Sequence, residues 1–170
     1  GARVTSPPAR FDHSTRTRLV VRGADRREFL EGMATNELGT LATGAGAPTF
    51  FLERTGRVVD RVVVLERGDD ALLLGSEGRA AALLEWLAKY VIADDVEIVD
   101  VSAASVLFTV LGPEAPRVLE ERLGVPASSL APWEHRGGSL EGSRVVRADD
   151  IGPRSFHVIA PAAQRAAVED

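Results

Sequence analysis

Cysteine is absent from the 170 residues, which excludes disulfides, thiolate metal sites and cysteine nucleophiles within them. Lysine is almost absent: Lys89 stands alone beside many arginines. With the abundant Ala, Gly and Val, this reads as the coding bias of a GC-rich genome rather than as chemistry. Positive charge is also in deficit. The formal net charge of −5 denies the chain the cationic face with which a general nucleic-acid binder displaces counterions. No apolar run approaches the ~20 residues of a membrane-spanning helix. The three histidines, His13, His135 and His157, lie far apart in sequence without ligand spacing, so no metal is expected. What remains is ordinary globular material, 45% hydrophobic and 26% charged, long enough to bury a core without staples.

Residues 1–15 are polar and carry two prolines, which reads as an extended arm, or as a segment ordered only by docking. Leu19, Val20 and Val21 make a short buried strand that Gly23 ends. Asp25 then stands where a carboxylate suits the free N–H groups of a helix start. Phe29, Leu30 and Met33 recur at helical spacing. Residues 43–48 (TGAGAP) read as a loop, and residues 50–53 and 57–65 as a hairpin around Thr55 and Gly56. A third strand follows over 71–75, with Ser76 as a cap for the next helix. That helix shows its apolar stripe at Ala80, Leu83, Leu84, Leu87, Tyr90 and Val91, and a strand follows over 96–101. A related pattern then begins again: a strand at 106–111, a helix opened by Pro113 and ended by Gly124, three short strands, and a helix from Pro161. The reading is α+β, antiparallel sheets with helices packed on one face. It divides as 1–15 arm, 16–103 first unit and 104–170 second unit, the last helix being cut off so that a longer native chain is expected.

The strand over 58–65 carries the most chemistry. Its residues alternate across the strand, so Val58, Asp60, Val62 and Val64 share one face and Val59, Arg61, Val63 and Leu65 the other. Both faces are apolar and each holds one charge, which needs a partner or a cavity. With a two-residue hairpin loop, Phe51 opposes Asp60 and Glu53 opposes Val58. Two carboxylates and an aromatic ring on one face could receive a heterobicycle through paired hydrogen bonds and stacking. The competing reading is an ion pair of Asp60 with a nearby arginine, which the residues alone favour.

Three blocks occur in order: residues 18–37 (RLVVRGADRREFLEGMATNE), 50–65 (FFLERTGRVVDRVVVL) and 108–115 (FTVLGPEA). Together they resemble the amino-terminal half of the folate-binding aminomethyltransferase-like superfamily. That group includes the glycine-cleavage T proteins, the folate modules of sarcosine and dimethylglycine oxidising enzymes, and the YgfZ proteins of iron–sulfur maintenance. The resemblance implies two ferredoxin-like-type units and tetrahydrofolate or a derivative as cofactor. It implies Asp60, Phe51, Glu53, Asn36, Arg61 and Arg154 as residues about the cofactor, with Arg154 offered to the anionic glutamate tail. In the T proteins the strand matching 58–65 carries two successive aspartates, and a carboxylate there faces the folate nitrogen that receives the one-carbon unit. Here the pair is Asp60 and Arg61, and Phe156 is followed by His157 where the family has Glu. Both departures weigh against aminomethyl transfer and favour the YgfZ branch.

The expectation is therefore a cytoplasmic, folate-binding accessory protein with iron–sulfur client proteins and no nucleic-acid or membrane partner. The alternatives are an aminomethyltransferase, or a folate module of a sarcosine or dimethylglycine oxidase, either working by folate-dependent one-carbon transfer, and a binding module that has lost the cofactor. The Cys-containing motif of the YgfZ proteins would lie beyond the residues present.

Overall fold

The computed structural model describes residues 6–149 and 151–169. The chain runs β1 (Ala9–Asp12), β2 (Arg16–Arg22), α1 (Arg26–Met33), β3 (Gly46–Leu52), β4 (Val58–Glu66), β5 (Asp70–Glu77), α2 (Ala80–Ala88) and β6 (Glu97–Asp100). It continues through β7 (Ser105–Leu111), α3 (Ala115–Leu123), β8 (His135–Gly137), β9 (Arg144–Arg147), β10 (Ser155–Pro161) and α4 (Arg165–Glu169). It separates into two units, Thr15–Ala103 and Gly1–Ser14 with Ala104–Asp170. None of its helices is long and apolar enough to cross a membrane, among the described residues.

The first unit is an antiparallel sheet in the order β3-β4-β5-β2-β6. Alternation on β2, β4 and β5 sends Leu19, Val21, Val62, Val64, Ala71 and Leu73 to one face, where Phe29 and Leu30 of α1 and Leu83, Trp86 and Leu87 of α2 close the core. The turn from β2 into α1 needs its glycine. Gly23 has φ +113°, and a Cβ there would stand 2.0 Å from the carbonyl oxygen of Asp95. Asp25 does not cap α1 with its side chain. Its Oδ2 instead accepts from the Asp95 N–H at 2.7 Å, while Asp95 Oδ2 accepts from the Ala24 N–H at 3.0 Å. The expected helix cap is thus a strap between two loops. The TGAGAP loop is also shorter than read, since β3 begins at Gly46 and includes Pro48. A proline fits there because β3 is an edge strand with one side of its backbone free of the ladder.

The second unit repeats the order. Its sheet runs β8-β9-β10-β7-β1, so each strand has a counterpart in the first sheet, with α3 following β7 as α1 follows β2. α3 buries Ala115, Leu119 and Leu123 against Val110, Val145, Phe156 and Val158. Pro116 rather than Pro113 lies within its first turn. The counterpart of β6, however, is β1, which lies at the front of the chain. The segment read as an arm is therefore a sheet strand, paired with β7 from Ala9 opposite Leu111 to Asp12 opposite Phe108.

β1 is exposed along its length, so its side chains hold it from outside. Asp12 Oδ2 meets Arg165 Nη1 at 3.0 Å, and the Ser14 N–H donates to Asp12 Oδ1 at 2.9 Å. The guanidinium groups of Arg10 and Arg165 lie 5.9 and 5.5 Å from the centre of the Phe108 ring. The hydroxyl of Ser14, then its N–H, then Arg165 hold the Asp12 carboxyl down from 3.8 to about 2. A depressed carboxyl stabilises the fold above its unfolded pKa of 3.8, and that contribution is lost as the pH falls through about 2. Asp12→Asn should therefore be less stable than wild type at about pH 5, with the gap closing toward pH 2. Paired denaturant titrations at both pH values measure it; a gap that stays constant with pH would show that the carboxylate does not hold β1.

Candidate functional site

The hairpin places Phe51 opposite Asp60, the pairing expected, although Glu53 and Arg57 close a three-residue loop. Beyond that pair the register slips by a bulge, and Leu52 rather than Glu53 faces Val58. The bulge follows the turn, where the Glu53 N–H donates to Arg57 O at 2.8 Å, and it leaves Glu53 exposed. A second carboxylate therefore does not join Asp60. Phe51 is fully buried, its ring 5.9 Å from that of Trp86, which in turn meets Tyr90 edge-on at 5.3 Å. It belongs to the core between sheet and helices and presents no open face for stacking.

Asp60 is only 6% exposed. Among the described residues it is not ion-paired with an arginine; its partner is Ser76. The Ser76 N–H donates to Oδ2 at 3.0 Å, and the Ser76 hydroxyl donates to Oδ1. Ser76 is thus a strand residue bound to a carboxylate and not the cap of α2, whose N-cap is Arg79. Gly75 makes room for this arrangement, because a Cβ there would stand 2.8 Å from Asp60 Oδ2 and 3.1 Å from Thr17 Cβ. Arg61, one residue on, points to the other face and is exposed. The neighbouring charges Asp60 and Arg61 are therefore resolved differently: the acid by hydrogen bonds inside, the base by solvent.

Removing the carboxylate takes both hydrogen bonds, each to a charged acceptor, away from Ser76. Asp60→Ala should cost about 1–3 kcal/mol, and the coupling with Ser76→Ala in a double-mutant cycle should be about 0.5–3 kcal/mol. Additive losses in the cycle would mean that the Asp60–Ser76 pair does not hold β4 to β5.

Asn36 lies in an exposed turn after α1. Its side-chain amide donates to Pro48 O, and its N–H and that of Thr35 reach Thr49 Oγ1 at 3.2 and 3.1 Å. The Thr-Asn turn fastens the end of α1 onto the edge strand β3.

The remaining candidate, Arg154, belongs to the second unit. It lines a cavity of about 440 Å³ with Pro113, Pro116, Arg117, Ser128, Arg147 and Phe156, among others. A second cavity of about 690 Å³ is lined by Phe108, Val110, Leu119, Leu123, Val158 and Val168, among others. Asp60, Phe51, Glu53, Asn36 and Arg61 line neither.

His157 is fully buried on β10. Thr109 Oγ1 lies 2.9 Å from its Nδ1 and 2.7 Å from that of His13. One hydroxyl carries one proton, so at most one of the two rings accepts from it and the other brings an N–H. Two histidines that lie far apart in sequence thus share one hydroxyl, while His135 Nδ1 meets Arg144 Nη1 at 2.7 Å. Among the described residues no cluster of His, Asp or Glu has metal-holding geometry.

The profile of the GCVT N-terminal domain family matches residues 3–167. An aminomethyltransferase of Geobacillus thermodenitrificans (strain NG80-2) is 32% identical over 130 residues, covering 75% of this chain and 35% of that protein. One from Bacillus cytotoxicus is 33% identical over 112 residues, covering 65% and 30%. The chain thus spans about a third of these relatives' length. Among solved structures, the glycine cleavage system aminomethyltransferase T from Bartonella henselae superposes with a TM-score of 0.85 at 21% identity, covering 96% of this chain and 45% of that one. The heterotetrameric sarcosine oxidase from Corynebacterium sp. U-96 gives 0.69 at 19% identity, covering 94% and 78%. These two likenesses are of fold.

Proposed function

The chain belongs to the GCVT N-terminal domain family, and from that premise we propose that the protein binds a reduced folate and is of the aminomethyltransferase type. The names of its relatives support the transferase reading over an iron–sulfur accessory role. The observation that carries our version of it is the split on β4. Asp60 is turned inward and held by Ser76, so Arg61, the exposed neighbour, is the side chain that β4 offers to a ligand. In this reading Asp60 shapes the strand, Asn36 holds the neighbouring turn, and Arg61 stands where a carboxylate would serve the one-carbon unit. An arginine favours neither a cationic iminium nor proton abstraction. The protein then binds folate and transfers aminomethyl groups weakly.

Titrating tetrahydrofolate into the whole protein while following tryptophan fluorescence tests the first half. Saturable binding that changes with Arg61→Ala supports it; no binding by the whole protein would sink it. The YgfZ-like reading, with iron–sulfur clients, is favoured by the same Arg61 and by His157 in the family's acidic place. It gains ground if folate binds and no variant at position 61 restores transfer.

A further inference from the structure

We propose that the cavity of the second unit at the β9–β10 hairpin is a binding site for a carboxylate-bearing small molecule. Arg147 is paired with Phe156 in the hairpin register, which places both side chains on one face. Arg154 lies two residues before Phe156 and lines the same cavity. The two guanidinium groups differ in preparation. Arg147 is fixed: Nη1 donates to Leu130 O at 2.8 Å and Nε to Asp149 Oδ1 at 3.2 Å, which leaves Nη2 for a further acceptor. Arg154 is exposed and has no hydrogen-bond or ion-pair partner among the described residues. Its backbone is left-handed, φ 59°, a conformation that costs a non-glycine residue stability and that clusters at ligand sites. Of the other charged groups lining the cavity, Arg117 is already committed to Glu114 and Glu121 at 2.5 and 2.9 Å. Glu120 is the one acid in the lining among the described residues.

The walls select the kind of anion. A phosphate at the start of a helix is held by backbone N–H groups, but Pro113 and Pro116 stand in that wall and have none to give. Two planar guanidinium forks beside prolines and Ala127 suit a carboxylate carried on an apolar stem. The inference rests on the second unit alone and stands whether or not Arg61 faces a folate.

Isothermal titration of the whole protein with glutarate, p-aminobenzoyl-glutamate and inorganic phosphate tests it. Saturable carboxylate binding is expected, weakened about tenfold or more by Arg154→Ala. Arg154→Gly should lose affinity equally while raising Tm by about 2–4 °C, because glycine accepts the left-handed backbone. Preference for p-aminobenzoyl-glutamate over glutarate would identify the ligand as the tail of a folate. Equal binding of the two would identify a free dicarboxylate. No binding, binding indifferent to both Arg154 variants, or phosphate bound as tightly as the carboxylates would overturn the proposal.

Discussion

Phe51→Ala is expected to destabilise the protein by about 3–5 kcal/mol, as truncation of a fully buried phenylalanine does. The ring fills the space between β3, α2 and the turn after α1. It packs at 5.9 Å on Trp86, and its backbone bridges to Ala34. Removing it takes away the transfer free energy of the ring and leaves a hole that Trp86 and Tyr90 cannot both relax into. A ring that stacked on a ligand would behave otherwise, sparing stability and weakening affinity. Urea denaturation of the variant decides between them: a loss under about 1 kcal/mol would place Phe51 outside the core contribution expected of it.

Arg61→Asp is expected to raise folate-dependent aminomethyl transfer by on the order of 10²-fold, the usual worth of one well-placed electrostatic group in a transition state. Position 61 is exposed while its neighbour is committed to Ser76, so a carboxylate installed at 61 need not break anything inside. Arg61→Ala separates two effects, since it removes the cation without supplying the acid. It should give a small gain in turnover, and Arg61→Asp the large one. The assay is formation of the methylene-folate product by the whole protein. Equal turnover in Arg61→Asp and wild type, with folding and folate binding intact, would refute the assignment of position 61.

The strands and helices were largely legible because their signals are local. The apolar stripe of α2 and the alternation on β4 each report a face that must be buried. The return of a related pattern after residue 104 corresponds to the second sheet's repeated strand order. Other features escaped because they depend on distant partners. Nothing near residues 9–12 announces that β7 lies beside them. The bulge that turns Glu53 away follows from backbone geometry at the hairpin end, and residue type does not reveal it. Asp60 was visible as a buried acid in an apolar strand. Its partner was not, since a serine sixteen residues on looks the same whether it caps a helix or binds a carboxylate. Arg147 joins Arg154 only through the hairpin register, which the loop between them hides.

Because β1 fills the edge position that β6 occupies in the other sheet, the order of synthesis and the order of assembly differ. Its residues leave the ribosome about a hundred positions before their partners on β7. At ordinary translation speed that is a wait of about 5–20 s, during which the whole Thr15–Ala103 unit is made. The nascent chain must therefore keep residues 9–12 unpaired for that interval. A polar, proline-bearing stretch held later by ionic ties is suited to waiting, where a greasy one would find the wrong neighbour.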